Sequence, residues 1–180
     1  SQLCPKPGAD TPAFVYTLGA QAFPTQVTNP HRANVGQAIN IPVPWDPIYE
    51  RNFSSIIQEL GRRYASDPLC VSVVLTCANY LSAEMHLPKT RSDLARWASL
   101  GNYDEKLFGV YQKYTVEWAQ AFPRQEISLH LSKVLYLPPS FLDRVFENGL
   151  SAYPNRFILQ NCQLTGLQEE IANMTYKPVI

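Results

Sequence analysis

Val71-Ser72-Val73-Val74-Leu75-Thr76-Cys77-Ala78-Asn79-Tyr80-Leu81-Ser82-Ala83-Glu84-Met85-His86-Leu87-Pro88 carries an almost wholly apolar run straight into a segment with Asn79, Glu84 and His86. A run that is apolar at consecutive rather than alternate positions is buried on both faces, the habit of a parallel strand in an α/β protein. In such folds ligands and chemistry gather at the carboxyl ends of the strands. Glu84 is therefore the leading catalytic candidate, its other reading being a loop cap or a partner for Arg91.

Working outward, Ala13-Phe14-Val15-Tyr16-Thr17 reads as a short strand and Gln37–Val43 as a better one, with Pro42 and Pro44 ending regular pairing. From Asp46-Pro47 a helix is expected with Phe53, Ile56, Ile57, Leu60 and Tyr64 on one apolar face, stopped by Asp67-Pro68. Residues 79–103 read as a long loop carrying Glu84, His86, Arg91 and Trp97, of a length usually found in functional loops or lids. A second helix spans about Asp104 to Phe122, with Leu107, Val110, Tyr111, Tyr114 and Trp118 along one face. Ile127–Leu131 alternates as a strand, and Pro138-Pro139-Ser140 opens a third helix with Gly149 as the residue just past its end. Phe157–Asn161 is a further strand, Leu164, Leu167, Ile171 and Met174 mark a fourth helix, and Lys177–Ile180 begins a last strand.

Strand and helix alternate throughout, which predicts one α/β domain over residues 1–180 with a parallel sheet and right-handed crossovers. The eight glycines form neither a G-x-G-x-x-G turn nor a P-loop. That turns the expectation from a dinucleotide-binding sheet toward a (β/α)8 TIM barrel. The opening Ser1-Gln2-Leu3-Cys4-Pro5 and the strand begun at Lys177 are expected of a piece of a longer polypeptide, a partial barrel of about strands three to seven.

Composition removes several classes of partner. Hydrophobic residues make up 46% and aromatics 12%, too rich for a disordered chain. Fifteen Lys and Arg balance fifteen Asp and Glu with no basic stripe, so no field draws nucleic acid or an anionic membrane. No apolar run approaches the roughly 18 residues that cross a bilayer. Cys4, Cys70, Cys77 and Cys162 lack metal-ligand spacing, so neither a metal site nor a cofactor is expected. Cys70 and Cys77 flank one extended segment about 23 Å long at roughly 3.3 Å per residue, beyond disulfide reach. Asn52-Phe53-Ser54 and Asn173-Met174-Thr175 fit the glycosylation sequon, a triplet common by chance.

The expected strand ends collect Asn40, Trp45 and Asp46, then Asn79, Tyr80, Glu84 and His86, then His130 and Lys133, then Gln160 and Asn161. Amides and carboxylates hydrogen-bond sugar hydroxyls, and Trp or Tyr faces pack on the apolar side of a pyranose ring, so the set suits a neutral polyhydroxylated ligand. Each residue has a structural alternative: Trp45 as a packing anchor, Asp46 as a helix N-cap, His130 as a core histidine and Lys133 as a surface lysine rather than a Schiff-base lysine of a lyase or aldolase.

Ile41-Pro42-Val43-Pro44-Trp45-Asp46-Pro47, the strand ending in Asn79, and Ser82-Ala83-Glu84-Met85-His86-Leu87-Pro88 together resemble the middle of a (β/α)8 glycoside hydrolase of the large retaining superfamily that includes cellulases and β-galactosidases. The resemblance implies hydrolysis of a β-linked glycan with Glu84 as the acid/base. It also implies a nucleophile glutamate just beyond Ile180, and His130 at a position where several members touch that nucleophile. It departs from the family in one respect, because members place an Asn immediately before the acid/base Glu, whereas Asn79 stands five residues ahead of Glu84. A retaining mechanism needs two carboxyl groups about 5–5.5 Å apart, and Asp46 and Glu126 sit at the wrong strand or the wrong end. The chain alone is thus expected to bind carbohydrate without hydrolysing it. The alternative is a carbohydrate-binding domain with no catalysis at all.

Overall fold

In the computed structural model, residues 2–3, 10–30, 32–81, 85, 87–131 and 137–161 are described, with the backbone alone at positions 2, 3, 131, 139 and 161. Among them the elements run β1 (Gln2–Leu3), α1 (Ala13–Thr17), β2 (Ala22–Gln26), β3 (Ala38–Pro42), α2 (Pro47–Tyr64), β4 (Ser72–Val74), α3 (Arg91–Ser99), α4 (Tyr103–Ala121), β5 (Glu126–Leu131), α5 (Pro139–Ala152) and β6 (Phe157–Asn161). Strands β4, β5 and β6 lie side by side in parallel, the two-residue β1 joins β4 at the other edge, and β2 and β3 form a separate antiparallel pair.

Helices α2 and α3 begin where a side chain satisfies their free N–H groups. Asp46 caps α2 by accepting from Ile48 and Tyr49 N–H at 2.9 Å each, ahead of Pro47 in the first turn. Thr90 and Asp93 close a reciprocal capping box on α3. Asn102 in the left-handed region (φ 44°), after Gly101 (φ 64°), turns the chain into α4, whose first turn carries Asp104 and Glu105 against the helix dipole.

Side chains alternate across a strand, so the register assigns two faces to the parallel sheet. Val73, Leu75, Ile127, Leu129, Phe157 and Leu159 join one core cluster with Ile57 of α2, Leu107, Val110, Tyr111 and Trp118 of α4, and Phe141, Val145 and Phe146 of α5. The opposite face carries Val74, Ser128, His130, Ile158 and Gln160, and Leu75 N–H extends the ladder to Ser128 O at 2.8 Å, which brings Thr76 to that same face.

These observations correct the partial-barrel expectation. The chain is a small α/β domain whose parallel sheet is open among the described residues, and no barrel is formed. The residues expected to supply a parallel barrel strand, 37–43, instead pair antiparallel with Ala22–Gln26, from Ala22 opposite Pro42 to Gln26 opposite Ala38. Pro24 hides β2 in the sequence, yet a two-stranded pair leaves an outer edge where a missing N–H costs nothing. Ala13–Thr17, expected as a strand, is a short helix that buries Val15. The expected loop of residues 79–103 contains α3. The expected helix after Leu164 and the strand at Lys177 lie outside the described residues. No helix among the described residues is long and apolar enough to cross a membrane.

Two glycines mark where a helix packs closest on its neighbour, α5 on β6 and α2 on α4. Gly149 lies inside α5 rather than past its end, because a Cβ there would meet the Phe157 ring at 2.4 Å. At Gly61 a Cβ would meet Ala121 O at 2.6 Å, so α2 and α4 touch backbone to backbone. Gly61→Ala gains roughly 1 kcal/mol of helix propensity but overpacks a contact that no side-chain rotation relieves, at about 1–3 kcal/mol. The expected result is a net loss of up to about 2 kcal/mol in urea unfolding; a stabilised variant would show that the helices separate freely.

On the exposed side of α2, Glu59 receives Arg62 at 2.7 and 2.8 Å and Arg63 at 2.5 Å. These hydrogen bonds, Arg62 first, lower the Glu59 carboxyl to about 2. A folded pKa below the unfolded one means the favourable contribution is present above the ordinary carboxylate range and is lost as pH falls toward about 2. Because the group is solvent-exposed, its effect on stability is small and screened by salt. A carbon-detected NMR titration is expected to place the Glu59 midpoint near 2 at low salt, rising with ionic strength; an ordinary midpoint of about 4.3 at low salt would show that the cluster does not form.

Candidate functional site

The carboxyl edge of the parallel sheet is where the observed side chains converge. Helix α2 spans about 27 Å at roughly 1.5 Å per residue. Its far end is tied to the amino end of the sheet, where Gln125 Nε2 donates to Ala65 O at 2.9 Å and Cys70 O at 3.1 Å. Its start, with Trp45 and Asp46, therefore stands toward the carboxyl end.

Just past β4, Asn79 is 2% exposed and its Oδ1 accepts from Cys77 N–H at 3.1 Å, a local turn that holds the exit of the strand. Tyr80 is also buried, and its hydroxyl donates to Gln26 O, so this ring ties the β4 exit to β2 instead of standing as an open platform. Desolvation raises the Tyr80 phenol above its ordinary pKa. Met85 and Leu87 are buried, and Tyr111 donates to Met85 O at 3.4 Å. Glu84, His86 and Lys133 lie outside the described residues.

Gln160 and His130 are register neighbours on β6 and β5, and Gln160 Oε1 accepts from Ser128 Oγ at 2.8 Å. Ser128 and His130 are buried while Gln160, on the outer strand β6, is partly exposed. Asn161 follows Gln160 in β6, opposite Leu131, with its side chain outside the described residues. Thr76, at the β4 end of this face, is fully buried, and its hydroxyl has no hydrogen-bond partner among the described residues. Ser128 and Thr76 escaped the sequence reading. For Ser128 the signal is the strict alternation of Ile127-Ser128-Leu129-His130, which puts two polar residues on one face of a strand inside a parallel sheet, whereas Thr76 has no such signal.

Trp45 is half-buried, tilted at 58° to Trp97 with centroids 6.0 Å apart, and Lys106 Nζ lies 5.8 Å over its ring. This gives Trp45 a packing partner and a cationic neighbour at once. Asp46 has both carboxylate oxygens engaged, Oδ1 by its cap and Oδ2 by Gln21 N–H at 3.1 Å, so its observed role is the N-cap.

A second polar recess lies between β2 and α3, around Thr25, Thr90, Ser92, Asp93 and Arg96. There the buried Asp93 carboxylate accepts from Thr25 at 3.0 Å, Thr90 Oγ1 at 2.7 Å and Thr90 N–H at 3.0 Å, which makes it a structural cap. No group of three or more His, Cys, Asp or Glu able to hold a metal occurs among the described residues.

Fold and site together define an α/β domain whose parallel sheet carries Thr76, Ser128, His130 and Gln160 beside Val74 and Ile158 on one largely buried face. Compared with known proteins, the chain matches no family model, no curated protein and no solved structure.

Proposed function

We propose that the carboxyl edge of the parallel sheet binds a β-linked glycan and that the chain is a segment of a retaining glycoside hydrolase with Glu84 as general acid/base. The observation that carries this reading is the uncharged polar file Thr76, Ser128 and Gln160, with His130 beside it, on one sheet face. Hydroxyl and amide groups recognise sugar hydroxyls, whereas a phosphate would call for the Lys and Arg that this file lacks. Trp45 supplies an aromatic face toward the same end of the sheet.

Retaining hydrolysis pairs a protonated carboxyl, donating to the leaving oxygen, with an ionised one attacking the anomeric carbon. Glu84 fills the first role. Among the described carboxylates Asp46 is engaged as a cap and Glu126 opens β5 at the amino end, so neither serves as the nucleophile. Calorimetry with cellotetraose and lactose is therefore expected to show binding in about the millimolar range, with no nitrophenol released from aryl β-glucosides or β-galactosides. Glu84→Gln leaves that binding within about twofold. Failure to bind either sugar would sink the glycan reading, and turnover abolished by Glu84→Gln would place a nucleophile within the chain.

The engagement of Asp46 also favours a second reading, a carbohydrate-binding domain without catalysis. In the full-length protein, hydrolysis lost in Glu84→Gln supports the hydrolase, and glycan binding without turnover supports the silent domain.

A further inference from the structure

We infer that the groove between α1 and the outer side of α2 docks an amphipathic α-helix of a partner protein, its apolar stripe on Phe14, Ile56, Leu60 and Tyr64 and its acidic flank against the arginines of α2. The groove shares no residue with the carboxyl edge of the sheet, so the inference stands apart from the glycan reading.

The apolar face of α2 is wider than the core that covers it. Phe53 and Ile57 are buried, whereas Ile56 is 44% and Tyr64 37% exposed, with Leu60 partly buried between them. Helix α1 supplies the facing wall through Phe14, itself 55% exposed, but with five residues it is too short to cover the rest of α2. What remains is an open groove of about 380 Å³ with a predominantly apolar wall. Single exposed apolar residues are ordinary on a protein surface, but several that share one groove mark a place where something docks.

Shape selects a helix as the occupant. Ile56, Leu60 and Tyr64 continue the i, i+4 ridge begun at Asn52, and Ser55, Glu59 and Arg63 form the next one; a second helix packs into the furrow between such ridges. From Asn52 to Tyr64 the furrow runs about 18 Å at roughly 1.5 Å per residue, about three turns. A strand, with side chains alternating between faces, does not match that spacing. Charge selects which helix. Arg62 and Arg63 both bond Glu59, so two arginines share one carboxylate, and the exposed Arg51 forms no ion pair among the described residues. The α2 rim is therefore cationic, and acidic residues beside the partner's apolar stripe complement it where basic ones are repelled. A second copy of the chain would set this same rim against itself.

Calorimetry tests this with two synthetic helical peptides of about 18 residues, long enough to hold a helix, that carry leucines at i, i+3, i+4 and i+7 spacing and either glutamates or lysines on the flanks. A third peptide has the glutamate composition in scrambled order. The glutamate peptide is expected to bind at about 10–100 μM, and the lysine and scrambled peptides at least about tenfold more weakly. Amide shifts on binding should gather at Phe14, Ile56, Leu60 and Tyr64. Ile56→Asp, at an exposed position, should leave the amide spectrum of the core unchanged and weaken the glutamate peptide at least about tenfold. Arg51→Glu should weaken the glutamate peptide about threefold and strengthen the lysine peptide. Equal binding of the scrambled peptide overturns the helical occupant, and equal binding of the lysine peptide overturns the acidic flank. No binding by any peptide, or shifts that gather elsewhere, overturns the site. A dimer in sedimentation that Ile56→Asp dissolves would give the groove to a second copy and overturn the partner.

Discussion

Replacing Trp97 with alanine will destabilise the protein by about 3–5 kcal/mol, the range for removing a buried tryptophan, and lower its melting temperature by roughly 10–15 °C. The side chain is fully buried. Its ring stacks on Phe23 of β2 at 3.7 Å and 9°, faces Trp45 at 6.0 Å, and its Nε1 donates to Pro88 O at 2.9 Å. Alanine opens a cavity and leaves the Pro88 carbonyl without its donor, two costs that add. Because Trp97 joins α3 to the β2–β3 pair, the loss should fall unevenly. Amide exchange at Thr25, Ile39 and Ile41 should accelerate more than at Ile127 and Leu129 of β5. Trp97→Phe, which keeps a ring for Phe23, should recover about half of the loss. A loss below about 1 kcal/mol, or equal acceleration in both sheets, would show that the pair is held by other contacts.

Replacing Arg156 with methionine should cost about 2–3 kcal/mol, read as a lower urea midpoint with an unchanged slope. The guanidinium donates to Phe122 O at 2.6 Å, Ala119 O at 3.3 Å and Gln125 O at 3.0 Å. Two of these carbonyls belong to the last turn and C-cap of α4, where no intrahelical donor remains, and the third precedes β5. One side chain thus ties the end of α4 to the start of β5, next to β6. Methionine restores the aliphatic stem but none of the donors. Lysine should recover only part of the loss, because a compact ammonium cannot span three carbonyls as a planar fork does. Equal stability of the lysine variant and wild type would show that charge alone, rather than geometry, carries the effect.

The place of Gln160 is legible in the sequence because strand ends follow from strand positions. The strand predicted over Phe157–Asn161 has those bounds in β6, which puts Gln160 at a carboxyl edge, and the predicted Ile127–Leu131 differs from β5 only by Glu126. The role of Asp46 was readable in outline, since an Asp before a Pro at a helix start is a cap signal. Its second bond, from Gln21, joins residues 25 apart and leaves no local trace. The same holds for Tyr80, whose hydroxyl reaches Gln26 across 54 positions. A serine inside a strand, such as Ser128, carries no local signal of its partner, which only the register of β5 and β6 sets.

Sequence by itself determined the elements whose signals are local: α2 from its cap, proline and apolar face, α4 from its period and Pro123, and the parallel strands β4 to β6 from consecutive or alternating apolar residues. Tertiary structure alone decided how those elements close. Residues 37–43 have the composition of a parallel strand, but strand pairing is set by distant partners, and Phe23 stacked on Trp97 draws β2 beside β3 despite Pro24. Gly149 has the look of a helix end, yet the Phe157 ring needs its missing side chain in mid-helix. Hydrophobic periodicity fixes which face of an element turns inward. It cannot fix which other element that face will meet, and that difference separates the expected barrel from the observed open sheet with its antiparallel pair.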